Sequence, residues 1–167
     1  MCFKKVSRFI LLLCLSLIVV GTFSISAQAA KKMPEFSLPT AVDGELVESK
    51  NLEGKALLIT FFATWCPPCR QEIPTLIQMQ NEYGPQGFSV IGMSVDEGGR
   101  KIVAKLVELE NINYPVLMAK QSTASDFGGI PGIPTSFLIN TKGNIVKTYQ
   151  GYVAHAILER DVKSVLQ

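Results

Sequence analysis

The stretch KALLITFFATWCPPCRQEIP, residues 55–74, constrains the fold more than any other part of the chain. Lys55 to Ala63 is a continuous apolar run, the pattern of a strand buried on both faces. Pro67 to Tyr83 follows at once with helical spacing, marked by Ile73, Leu76 and Ile77, and Gly84-Pro85 stops it. Pro74 lies inside this helix and is expected to kink it, because it removes one backbone donor. A strand buried on both faces needs neighbours and cover from the rest of the chain.

The remaining segments can supply both. Phe36 to Glu48 reads as a hairpin around Asp43-Gly44, and Phe88 to Val95 as a second buried strand. Arg100 to Glu110 reads as a helix with Ile102, Leu106 and Leu109 on one face. Tyr114 to Ala119 suggests a short strand, Ser122 to Phe127 one or two helical turns, and Thr135 to Asn140 a strand. The chain then turns at Lys142-Gly143-Asn144, pairs back over Ile145 to Tyr149, and ends in a helix over His155 to Leu166. This order predicts one α/β domain, a central mixed β-sheet flanked by helices on both faces, with an N-terminal β-hairpin. In such sheets the reactive site falls where a strand ends and a helix begins, which is where Cys66 stands.

Residues 1–30 read as an export signal and residues 31–167 as the domain. Lys4, Lys5 and Arg8 form a basic start, an apolar run covers Phe9 to Val20, and Ala27-Gln28-Ala29 has the small-x-small cleavage pattern. The alternative is an uncleaved membrane tether. The run to Val20 is short for a span of roughly 20 residues, but extension through Gly21 to Ile25 would lengthen it. Cys14 does not read as a lipid-attachment site, since Leu12 and Leu13 precede it. Without the three signal cations, 13 of the 16 basic residues remain against 14 acidic ones. The net charge of +2 thus becomes about −1, which gives no support for nucleic-acid binding. Cys2 and Cys14 also lie in the signal, leaving Cys66 and Cys69 in a compartment where disulfides persist.

Three readings of Cys66 and Cys69 compete. A structural zinc site needs four ligands, and the mature chain offers two cysteines and a distant His155, the single histidine, to which no role is assigned. A structural staple across so short a loop removes little unfolded-state entropy. Redox exchange fits best. Cys66 at a helix N-terminus would have its thiolate stabilised by unpaired N–H groups and the helix dipole. Cys66 would then attack a substrate disulfide, and Cys69, one turn further in and less accessible, would resolve the mixed disulfide. Pro67 and Pro68 are tolerated in the first turn, where the N–H they lack would be unpaired. Glu72 shares a helical face with Cys69 and can serve as its proton acceptor and donor; the competing reading is a solvated glutamate favoured by the early helix. Trp65 either shields the site, offers a flat contact to a partner, or is simply half-buried.

WCPPC after an apolar strand and GIPTSFLIN about 65 residues later resemble the thioredoxin superfamily. FSLPTAVDGELVESKNLEGKALLITFFATWCPPCRQEIP is similar to its exported TlpA/ResA-like branch, and the similarity covers nearly all of Pro34 to Leu166. The resemblance implies that Cys66 and Cys69 are the active pair and that Pro134 is a cis-proline packed against the disulfide. It also implies that the Ile133 backbone pairs with an extended substrate segment. Pro67, Pro68 and Trp65 would border that segment. Glu72 matches an acidic residue of this branch, whereas cytosolic thioredoxins carry an aspartate where this chain has Thr60. Pro67-Pro68 departs from the dipeptide of the branch's namesake, and Pro131 is an additional proline in the GGIPGIPT loop.

The expected function is therefore an exported, monomeric thiol-disulfide oxidoreductase with no cofactor and no metal. It would reduce client proteins with cysteine pairs, apocytochrome c being the family's best-known client class, with electrons from a membrane thiol-disulfide electron transporter. The alternatives are a disulfide oxidase or isomerase, a peroxidase, and a non-catalytic module binding copper or peptide. Reduction potential separates the first. A peroxidase of related fold needs Thr or Ser three residues before its reactive cysteine, and Ala63 stands there for Cys66. Thiolates suit Cu(I), but the chain has no Met or His cluster nearby.

Overall fold

The computed structural model describes residues 31–166. The expected export signal, with Cys2 and Cys14, lies outside the described residues. Seven strands and four α-helices follow one another as β1 (Ser37–Pro39), β2 (Leu46–Glu48), β3 (Ala56–Phe62), α1 (Pro67–Tyr83), β4 (Phe88–Ser94), α2 (Arg100–Leu109), β5 (Val116–Met118), α3 (Gln121–Asp126), β6 (Thr135–Ile139), β7 (Ile145–Gln150) and α4 (His155–Val165). Five strands form one mixed sheet in the order β5-β4-β3-β6-β7. β3, β4 and β5 are parallel, while β6 pairs antiparallel with both β3 and β7. β1 and β2 form the N-terminal hairpin, joined to β5 by a bridge between Thr40 and Leu117.

β3 lies at the centre because every residue in it is apolar or a small hydroxyl, and all seven are buried. Its side chains alternate. Ala56, Leu58 and Phe62 join one core with residues of α1, α2 and α4, whereas Leu57, Ile59 and Phe61 join a second with Leu38, Ala124 and Phe127. The second core, under the hairpin and α3, is organised by Phe61, Phe127 and Phe137, whose ring centroids lie 5.1 to 6.1 Å apart. In the first core, α1 buries Ile73, Leu76, Met79 and Tyr83 against the sheet. Each such side chain contributes roughly 1.5–3 kcal/mol on leaving water, so this face holds the helix firmly. Pro74 sits inside α1, which runs unbroken to Tyr83.

One expectation needs correction. The buried face of α2 is Val103 and Leu106, while Ile102 and Leu109 are 43% and 67% exposed. The apolar residues of α2 occupy more than one side of the helix, and the stripe nearest the sheet is the one that packs. The N-terminal hairpin forms around Asp43-Gly44 as expected, through a six-residue turn. The turn spans residues 40–45, closed by the Thr40 N–H donating to Glu45 O at 2.9 Å and by the Thr40 hydroxyl donating to Asp43.

Candidate active site

Cys66 caps α1. Its backbone is extended, with φ −90° and ψ 109°, and its sulfur accepts the Cys69 N–H at 3.3 Å. Pro67 and Pro68 fill the first two helical positions and have no N–H. The Cys69 amide is therefore the first donor of the helix, and it points at the Cys66 sulfur. Negative charge at that position is stabilised by this hydrogen bond and by the helix dipole together.

Cys66 and Cys69 form a disulfide, with Cα atoms 5.3 Å apart. Both residues are only 3% exposed. The expected contrast between an accessible Cys66 and a sheltered Cys69 is absent in this oxidised state, where the Ile133 carbonyl lies 3.7 Å from the Cys66 sulfur. That approach is a contact and not a hydrogen bond, because a disulfide sulfur has no hydrogen to donate.

The Ile133–Pro134 peptide is cis. Pro134 is buried and Ile133 half-buried, and the Thr135 hydroxyl donates to Gly132 O at 2.7 Å across the same loop. Trp65 is 69% exposed, which removes the half-buried reading. Pro67 and Pro68 are exposed beside it.

Glu72 is 1% exposed, so the solvated-glutamate reading fails. Burial pushes its carboxyl up from 4.5 to about 7, against the opposing effect of the Val153 N–H, which donates to Oε1 at 3.0 Å. A carboxyl titrating near neutrality can both accept and return a proton. Burial, helped by the Glu72 charge, also raises the Tyr114 hydroxyl in the same core. Thr60 is buried in β3 and accepts a hydrogen bond from Ser136 at 2.9 Å.

Two residues that contact the site's framework have no obvious signature in sequence. Val153 acts through its backbone, which no side-chain pattern reveals. Asp96 is 8% exposed and binds Thr64, two residues before Cys66. Its only signal is a polar Ser94-x-Asp96 pair at the end of an apolar strand. His155 lies at the start of α4, with Nε2 3.9 Å from Glu159 of the same helix. Among the described residues no group of three or more His, Cys, Asp or Glu side chains could hold a metal ion.

The Redoxin family model matches residues 28–166. The thiol-disulfide oxidoreductase ResA of Halalkalibacterium halodurans is 32% identical over 133 residues, covering 80% of this chain and 74% of that protein. The thioredoxin-like protein YneN of Bacillus subtilis is 28% identical over 137 residues, covering 81% of this chain and 79% of that protein. A crystal structure of a thioredoxin-family thiol:disulfide interchange protein from Chlorobium tepidum superimposes with a TM-score of 0.79 at 39% identity, covering 85% of this chain and all of that one.

Proposed function

This chain belongs to the Redoxin family and is a thioredoxin-like thiol-disulfide oxidoreductase, and from that premise we propose that it works outside the cytoplasm as a reductant of client-protein disulfides, apocytochrome c among them. The Cys66 thiolate attacks one sulfur of the client disulfide. A mixed disulfide forms and the first client thiolate leaves, taking a proton. The Glu72 carboxylate then accepts the Cys69 proton, and the Cys69 thiolate attacks the Cys66 sulfur. The second client thiolate leaves, two electrons have passed to the client, and the enzyme holds the Cys66–Cys69 disulfide. A membrane thiol-disulfide electron transporter restores the dithiol.

The observation that carries this reading is the Cys66–Cys69 disulfide at a helix N-terminus, with a buried carboxyl at Glu72 one turn behind it. In this reading Trp65, Pro67 and Pro68 form the exposed rim a client meets, and the backbone of Ile133 beside Pro134 pairs with its extended chain. The protein acts as a monomer, tethered or released according to the fate of residues 1–30.

Reduction potential and trapping test the proposal together. A value near −270 mV, as in thioredoxin, supports reduction, and one near −120 mV makes the protein an oxidant instead. Cys69→Ala should accumulate mixed disulfides that identify the clients, and Cys66→Ala should lose exchange. Wild-type exchange by Cys66→Ala ends the reading.

A further inference from the structure

Asp96 takes no part in the exchange just described, yet its contacts converge on the segment that carries Cys66. Oδ1 accepts the Thr64 hydroxyl at 2.6 Å, and the Thr64 N–H reaches Oδ2 at 2.9 Å and Oδ1 at 3.2 Å. Ser94 closes the arrangement, since its hydroxyl donates to Oδ2 at 2.9 Å and accepts the Asp96 N–H at 3.1 Å. An ionised carboxylate only accepts, and here every group facing it is a donor. Hydrogen bonds to a charged acceptor are also stronger than neutral ones. Further hydrogen bonds flank this unit: the Val95 N–H donates to Phe62 O at 2.9 Å and the Cys66 N–H to Ala63 O at 3.2 Å. The end of β4 thus grips the connection between β3 and α1.

The grip matters because the capping geometry is narrow. With Pro67 and Pro68 lacking N–H groups, the Cys69 N–H is the first amide of the helix that can reach the Cys66 sulfur. A small rotation at residues 64–66 would break that contact. We propose that Asp96 is a positioning residue for disulfide exchange: it holds Thr64 so that Cys66 presents its sulfur to the Cys69 amide. The proposal rests on Cys66 being the attacking sulfur.

The sign of one measurement separates positioning from charge. Removing a nearby anion favours the Cys66 thiolate, whereas loosening the cap disfavours it. Alkylation of the reduced full-length protein is followed against pH, with Cys66 and Cys69 resolved by mass spectrometry and folding checked by circular dichroism. Thr64→Val removes the 2.6 Å hydrogen bond and leaves the Asp96 charge in place. It is expected to slow Cys66 alkylation at pH 7 about fivefold, the worth of one hydrogen bond, and to move its pH profile upward. Thr64→Ser keeps the hydroxyl and should restore both. Asp96→Asn places an amide donor against donors and should shift the profile in the same direction as Thr64→Val. If Asp96→Asn does not fold, the two Thr64 variants decide. Profiles that stay with the parent or move downward overturn the proposal. Faster alkylation of Cys69 than of Cys66 in the parent overturns the assignment of the attacking sulfur, and the proposal with it.

Discussion

The backbone N–H of Val153 donates to Oε1 of Glu72 at 3.0 Å, across 81 residues of sequence. Two residues earlier, the Gly151 N–H donates to Pro134 O at 2.8 Å. The segment between β7 and α4 therefore holds the buried carboxyl and the cis-proline loop at once, while the Ile133 carbonyl of that loop lies against the Cys66 sulfur. The amide of Val153 favours the ionised carboxylate, but burial outweighs it and leaves Glu72 near 7.

The first prediction follows from that shift. Below pH 4.5 Glu72 is protonated whether the chain is folded or not, and its burial then carries no charge penalty. As pH rises from 4.5 toward 7, the unfolded chain loses the proton first, so the folded state loses relative stability; above 7 the loss is complete. Glu72→Gln keeps an acceptor for Val153 and carries no charge. The oxidised variant should exceed the parent at pH 8 by about 1–3 kcal/mol, at ~1.4 kcal/mol per pKa unit, and should match it at pH 4. Urea melts at the two pH values check this, and a difference that does not change with pH refutes it.

Trp65 supplies the second. At 69% exposure it contributes little to the fold, and Trp65→Ala should shift stability by no more than about 0.5 kcal/mol. Its flat surface stands directly before Cys66, where a polypeptide client would lie. The variant should lower kcat/KM for a polypeptide disulfide about tenfold, as loss of an aromatic contact residue does. The loss should be smaller for a small aliphatic disulfide, which cannot span the rim. Equal losses for the two substrates would place Trp65 in the chemistry of the thiol itself.

The parts of this molecule that were legible in sequence share a cause. β3 and β4 are predominantly apolar runs, interrupted only by small residues and hydroxyls, that require cover on both faces, which predicts the mixed sheet and its flanking helices. The double proline marks the start of α1, and it leaves Cys66 at the cap. The buried stripe of α2 was misread because Ile102, Val103, Leu106, Val107 and Leu109 leave two apolar faces, and only packing chooses between them. Position alone leaves Glu72 between a solvated and a buried carboxyl, and the resemblance favours the working one; the distant backbone amide of Val153 that holds it is what sequence does not show. The Asp96 clamp was missed for the same reason: its partner Thr64 lies on another element.

Asp161 gives a stability prediction with the opposite sign. Burial works to raise its carboxyl, but hydrogen bonds from Lys147 at 2.5 Å, Arg160 at 3.0 Å and Tyr149 at 2.8 Å outweigh it and hold it at about 2. Its contribution is present above the ordinary value of 3.8 and is lost as pH falls toward 2. The bonds from Lys147 and Tyr149 join β7 to α4, while that from Arg160 lies within α4. Asp161→Asn should cost about 1–2 kcal/mol at pH 7 and progressively less on acidification. Melts at pH 7 and pH 3 report the difference, and an equal cost at both would mean that charge plays no part.

Gly151 and Gly54 form a matched pair for the last prediction. Both have φ of +81°, and a Cβ on either would meet nothing within 4 Å. Alanine at each position therefore suffers the same left-handed backbone strain, about 1–2 kcal/mol, without any clash. Gly54 lies in the turn that leads into β3, at the opposite end of that strand from Cys66 and outside the hydrogen bonds of the site. Gly151 donates to Pro134 and precedes the Val153 amide on Glu72. The two variants should lose similar stability in urea melts, but only Gly151→Ala should slow disulfide exchange at pH 7, on the order of tenfold for a shifted cis-proline loop. If both variants exchange at the parent rate, the segment between β7 and α4 does not hold the site in register, and the two hydrogen bonds that reach it serve only the fold.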